Sequence, residues 1–201
     1  MSLRHSYTLI APFYDAALNA ATRHARIRSL APLNAELPGR VLLAGVGTGL
    51  DLPHLPPQHD YVGLDLTPAM LQRSRRRAGA LRYQPVLGSA LALPFGDARF
   101  DHCVLHLILA VVPDPARALG EALRVTRPGG TLLVFDKFLR PGQRAWLRRA
   151  LTPLSMRIAT RMDVVFETLL AQTPDACLEH DEAALAGGWF RRLRLRKRAA
   201  R

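Results

Sequence analysis

The chain has 201 residues, 49% of them apolar, a length and composition that suit one domain with a sizeable buried core. Its formal charge of +12 is carried almost wholly by arginine, with Lys137 and Lys197 the only lysines. The longest nearly unbroken apolar stretch, Val104 to Val112, is interrupted by His106 and falls far short of the roughly 20 residues of a membrane-spanning helix.

Leu9 to Leu30 reads as a helix with Pro12 near its start, and Pro38-Gly39 breaks the chain after it. Arg40 to Ala44 is a short strand of the kind buried on both faces, and it runs into the glycine turn Gly45-Val46-Gly47-Thr48-Gly49. Tyr61 to Leu66 is the second strand; Thr67 then caps a helix that starts at Pro68 and ends near Ala78. Arg82 to Leu87 is the third strand and Phe100 to His106 the fourth, entered after the Gly96-Asp97 turn. Asp114-Pro115 repeats the cap-then-proline start for a helix that ends before Arg127-Pro128-Gly129-Gly130, which feeds the strand Thr131 to Asp136. Beyond Pro141 come an arginine-studded helical stretch broken at Pro153, a helix over Asp163 to Gln172, and strands around Ala176 to His180 and Trp189 to Lys197.

Five strands alternating with helices argue for a single α/β domain over residues 1–201, a Rossmann-like parallel sheet with helices on both faces. Residues 1–35 are expected to form an N-terminal helical segment and 137–172 a helical insertion. The tail Arg191 to Arg198 sets Leu193 and Leu195 on one face and Arg194, Arg196 and Arg198 on the other. A doubly covered strand does not look like that, so this strand is expected to leave one face exposed or to curl away from the sheet.

A sharp glycine turn at a strand's carboxyl end lets a ligand approach backbone that a side chain would block. Asp65 ends the next strand, about 20 residues on, where a carboxylate takes both hydroxyls of an adenosine ribose. Dinucleotide oxidoreductases share this geometry, but their third glycine is Leu50 here, and Pro53, Pro56 and Pro57 keep the following helix short or irregular. The nucleoside triphosphate loop is excluded because no Gly-Lys-Ser/Thr follows.

Val41 to Gly49, Gly63 to Leu71, Leu91 to Phe95 with Phe100-Asp101, and Arg124 to Gly130 resemble the successive motifs of class I methyltransferases. The resemblance covers Tyr7 to Asp136 and is strongest to the branch containing quinone C-methyltransferases and phosphatidylethanolamine N-methyltransferases. It implies a seven-stranded sheet with an antiparallel last strand, S-adenosyl-L-methionine as methyl donor, S-adenosyl-L-homocysteine as product, and an acceptor pocket over the strand ends. It also implies that Gly45, Val46, Gly47, Thr48, Gly49, Asp65, Leu66, Ser89, Ala90, Leu91 and His106 line the cofactor. Two positions depart from the pattern: Leu43 and Ser89 stand where the family carries acids that hold the methionine ammonium side and the adenine amino group. Each lost charge-assisted hydrogen bond costs about 1.5 to 3 kcal/mol, unless another carboxylate compensates. Two alternatives therefore stay open, a cofactor-binding relative without catalysis and an enzyme using the cofactor for other chemistry.

Methyl transfer is an in-line displacement, so positioning and exclusion of water supply most of the catalysis. An amine, phenol or acidic carbon must also lose a proton, and His106 at the end of the fourth strand is the candidate base. His102 shares its face with His106 and Cys103 lies opposite; no further ligand completes a metal set. Tyr7 and Tyr14-Asp15 resemble the lid segment of this branch, which makes Tyr14 a candidate for the catalytic site and Tyr7, Tyr14 and Asp136 candidates for acceptor contact. Gln143 to Arg161 mixes Trp146, Leu147, Leu151 and Leu154 with five arginines, a pattern that fits an anionic membrane surface or a helical cover over the acceptor pocket. With no base-stacking aromatic cluster beside the charge, nucleic acid is not indicated. No secretory apolar region opens the chain, and Cys103 and Cys177 read as plain thiols. The expected location is the cytoplasm, with peripheral contact at an anionic membrane.

Overall fold

The computed structural model describes residues 20–142 and 163–199. Residues 20–30 are helical (α1) and lead to β1 (Arg40–Ala44). The chain then alternates through β2 (Asp60–Asp65), α2 (Pro68–Arg77), β3 (Arg82–Leu87), β4 (Phe100–His106), α3 (Pro115–Val125) and β5 (Thr126–Lys137). It closes with α4 (Phe166–Ala171), β6 (Ala176–Leu185) and β7 (Phe190–Lys197). The seven strands make one sheet in the order β3-β2-β1-β4-β5-β7-β6. The pairs among β1 to β5 are parallel, while β7 runs antiparallel to both β5 and β6. The α/β fold with an antiparallel last strand is therefore the one the sequence motifs imply.

Apolar alternation places a core on each side of this sheet. Leu42, Ala44, Cys103, Leu105, Leu132 and Val134 face α3 and α4, where Leu119, Ala122, Phe166 and Leu169 bury against them. Val41, Leu43, Tyr61, Val104 and Leu133 face the other way, onto Leu30, Leu33, Leu52 and Leu71. Residues of both parities in β1 are thus buried, which is why Val41 to Ala44 reads as an unbroken apolar run.

Several boundaries differ from the sequence reading. β5 starts at Thr126, because Arg127 to Gly130 form an irregularity inside the strand rather than a turn before it; Gly129 takes φ +75° there. The helix expected from Asp163 starts only at Phe166, since Leu139 N–H donates to the Val164 carbonyl and Val165 bridges Leu139 as extended chain. Thr67 makes no side-chain cap; its hydroxyl is engaged with Asp65 instead. Asp114 does cap α3, accepting from Arg117 N–H at 3.0 Å.

The tail strand does not curl away; it stays in the sheet and leaves its arginine face half-exposed. Leu193 and Leu195 are buried, and Arg191, on the same face, is fully buried against Glu167 and Asp181. On the other face Arg192 pairs with Glu182, while Arg194 and Arg196 pair with Glu179. Among the described residues no helix is long and apolar enough to cross a membrane. Tyr7, Tyr14 and the stretch Gln143 to Arg161 lie outside the described residues.

Candidate active site

The glycine turn follows β1 directly. Gly45 and Val46 N–H both donate to the Leu64 carbonyl, at 2.8 and 2.9 Å, which ties the turn to the end of β2. Gly45, Gly47 and Gly49 all take positive φ, +73°, +54° and +81°. A Cβ at Gly49 would lie 2.9 Å from the Ser74 backbone, and one at Gly45 2.6 Å from Ile108, so these two glycines serve packing as well as the turn. A Cβ at Gly47 would meet no protein atom within 4 Å. Its backbone is therefore open on one side, a cradle that a ligand can approach and a methyl group would fill. Only a 3-10 turn, Leu52–His54, follows, in keeping with the three prolines nearby.

Asp65 joins this turn. Its Oδ2 accepts from Gly47 N–H at 2.9 Å and its Oδ1 from Thr67 N–H at 2.9 Å. Burial raises its pKa, against the pull of these donors, so the carboxylate is held where its charge costs the fold free energy. Leu66, just beyond, is among the most exposed large apolar side chains described. Ser89 hydroxyl accepts from Leu91 N–H at 3.1 Å, and Ala90 is buried in the core.

His106 ends β4 on the same face as Val104 and Leu133. The next residue, Leu107, takes φ +56°, a left-handed conformation that costs an L-residue roughly 1 to 2 kcal/mol and ends the strand abruptly. His106 Nδ1 lies 3.0 Å from Asp51 Oδ1, and Nε2 lies 3.0 Å from Ser29 Oγ. Arg26 donates to the same Asp51 oxygen at 2.8 Å, and to Thr22 Oγ1 at 3.0 Å. Burial alone would raise the Asp51 carboxyl, but His106 and Arg26 outweigh it and hold it well below the usual carboxylate range. Edge-to-face rings continue from His106 to Phe135 at 5.7 Å, and from Phe135 the row runs to Phe190 and Trp189 at 5.8 and 5.7 Å.

Asp51, Arg26 and Ser29 were not legible as site residues. Thr22, Arg26 and Ser29 are spaced i, i+4, i+7 on α1, a polar stripe that resembles a solvated face; Asp51, between Leu50 and Leu52, was the stronger signal. Asp136 stands apart from His106. It lies on the opposite face of the sheet, fully buried, with Oδ2 accepting from Ala110 N–H and Oδ1 from Lys137 N–H; burial pushes its pKa up to about 6. There it fixes the loop after β4.

His102 is also buried, 5.9 Å from the His59 ring, and burial lowers its pKa below the ordinary 6.5. A depressed histidine pKa means the folded state favours the neutral ring, so its contribution is full above pH 6.5 and is lost as pH falls. The melting temperature is expected to drop on acidification from that value, and to drop less in His102→Leu, measured by thermal melts across the pH series.

The methyltransferase domain family matches residues 42–134. A phosphatidylethanolamine N-methyltransferase from Cereibacter sphaeroides is 32% identical over 92% of this chain and 93% of its own length. A demethylmenaquinone methyltransferase from Renibacterium salmoninarum is 37% identical over 63% of this chain and 55% of its own. Among solved structures, a methyltransferase from Bacillus halodurans superimposes with a TM-score of 0.73, 19% identity, and coverage of 87% of this chain and 99% of that one. The chain belongs to the class I S-adenosylmethionine-dependent methyltransferases. Its sequence is similar both to a phosphatidylethanolamine N-methyltransferase and to demethylmenaquinone methyltransferases. S-adenosylmethionine is thus its methyl donor, and the open cradle at Gly47 beside the Asp65 carboxylate fits that ligand.

Gly47→Ala tests that cradle. Left-handed strain alone should cost about 1 to 2 kcal/mol of stability. Affinity for S-adenosylhomocysteine should fall by at least about tenfold, read by calorimetry on protein that melts close to the wild type.

Proposed function

We propose that this methyltransferase acts on a small hydrophobic or amphipathic acceptor, a lipid amine or a quinone ring, which enters over the carboxyl ends of the strands. The observation that supports the reading is the aromatic row that runs from His106 through buried Phe135 to the half-buried Phe190 and Trp189, apolar surroundings beside a candidate base. The relatives named for phosphatidylethanolamine and demethylmenaquinone support the same acceptor class.

Gly45 to Gly49 would hold the methionine part of the cofactor and Asp65 the ribose, with Leu66, Ser89, Ala90 and Leu91 around the adenine. The bound sulfonium supplies an activated methyl group. His106 accepts the acceptor's proton, and Tyr7 and Tyr14 are assigned to the acceptor side on the resemblance of their segment, Tyr14 next to the chemistry.

Peripheral contact with an anionic membrane in the cytoplasm belongs to the same proposal. Three of the four exposed large apolar side chains among the described residues, Leu66, Leu87 and Val111, lie at or just beyond the carboxyl ends of β2, β3 and β4. A charge of +12 draws such an apolar rim to acidic lipid.

Incubation with labelled S-adenosylmethionine, separately with phosphatidylethanolamine vesicles and with demethylmenaquinone, tests the function. Label in one of these acceptors is the expected result, and label in neither overturns the acceptor class. Sedimentation with phosphatidylglycerol vesicles tests the membrane contact, which absence from the pellet at low salt would remove.

A further inference from the structure

We infer that Asp51 is a positioning residue for His106, holding the ring with its proton on Nδ1 so that Nε2 is the nitrogen that takes a proton, and that Ser29 occupies Nε2 until the acceptor displaces it. This rests on His106 being the base of the proposed reaction.

The geometry leaves little choice of roles. Arg26 binds Asp51 Oδ1 at 2.8 Å and always donates, so the carboxylate is held ionised and can only accept. The 3.0 Å contact to His106 Nδ1 then requires the hydrogen to sit on Nδ1. In the neutral ring Nε2 is the acceptor, and the Ser29 hydroxyl, 3.0 Å away, donates to it. All four side chains are buried, with Arg26 and His106 at 5% exposure and Ser29 and Asp51 at 6%, so water does not compete for these bonds.

The proton balance follows. The acceptor's X–H bond breaks and leaves its electron pair on X, an N–H bond forms at Nε2, and the ring becomes an imidazolium. Its new charge lies directly against the Asp51 carboxylate, which stabilises it.

The test is the tautomer of His106, read by long-range proton–nitrogen NMR on protein labelled at histidine nitrogen. The spectra are taken at about pH 8, above the ordinary imidazole range. His106→Gln assigns the signal, and neither cofactor nor acceptor is present. The wild type and Ser29→Ala should show the neutral ring protonated on Nδ1. Arg26→Met/Asp51→Leu, which removes the charge pair together and leaves no lone buried ion, should lose that preference. On whichever acceptor the wild type methylates, the double variant's kcat should fall by at least about tenfold while KM and affinity for S-adenosylhomocysteine stay within about twofold.

A wild-type ring protonated on Nε2 or on both nitrogens overturns the inference. So does an unchanged tautomer in the double variant, loss of the Nδ1 proton in Ser29→Ala, or a kcat loss matched by lost cofactor affinity. A wild type that binds no S-adenosylhomocysteine or methylates nothing fails the functional reading instead and leaves the tautomer result standing.

Discussion

Arg191→Met is expected to destabilise the protein by roughly 3 kcal/mol, the lower end of the range for breaking a buried ion pair from one side. Arg191 is fully buried, and its guanidinium binds Glu167 at 2.7 Å and Asp181 at 2.6 and 3.0 Å over the Phe166 ring. Truncation leaves two carboxylates facing a methionine, without a cation between α4, β6 and β7. The figure stays at the low end because Glu167 and Asp181 keep 35% and 25% side-chain exposure and can partly rehydrate. Two further measurements separate this cause from lost packing. The Asp181 pKa is lowered, chiefly by its hydrogen bonds from Arg191, so its stabilisation is present above the ordinary 3.8 and lost as pH falls. That acid sensitivity should shrink in Arg191→Met. Adding Glu167→Gln and Asp181→Asn to the variant should recover part of the denaturant midpoint, and no recovery would assign the loss to packing alone.

The same strand shows where reading the sequence stops. Its alternation correctly separates Leu193 and Leu195 from Arg194 and Arg196, but parity also puts Arg191 on the leucine face. Nothing local tells that an arginine there is buried rather than exposed, because its partners come from two other elements, 10 and 24 residues away. The glycine turn and Asp65 were legible for the opposite reason. A turn after a buried strand and a carboxylate at the next strand's end are short-range patterns, and parallel pairing of β1 with β2 brings them together. Position His106 is likewise fixed by the length of β4. Its partners were not legible, since Asp51 and Ser29 are 55 and 77 residues away and reach it from two other segments, the loop after the glycine turn and α1.

Asp65→Ala should lower affinity for S-adenosylmethionine and S-adenosylhomocysteine by at least about 100-fold, since each lost charge-assisted hydrogen bond to a ribose hydroxyl is worth about 1.5 to 3 kcal/mol. A second loss acts in the same direction. Asp65 Oδ2 is the acceptor for Gly47 N–H, so the substitution also frees the backbone of the turn that is to hold the ligand. Stability should move much less than affinity, because burial raises the Asp65 pKa and its ionised form already costs free energy in the fold at neutral pH. By linkage, a raised carboxyl pKa stabilises fully below the unfolded value of 3.8, and that contribution is lost as pH rises through the folded value. Removing the group should therefore flatten this part of the pH–stability curve while affinity collapses. Asp65→Asn is the sharper comparison. It keeps one acceptor but turns an NH2 donor toward either Gly47 N–H or Thr67 N–H, which also donate, so it should not restore binding. Calorimetry on both variants, with melts as the control, decides the point. Affinity within tenfold of wild type in Asp65→Ala would remove Asp65 from the cofactor site and leave it as a clasp between the glycine turn and the second strand.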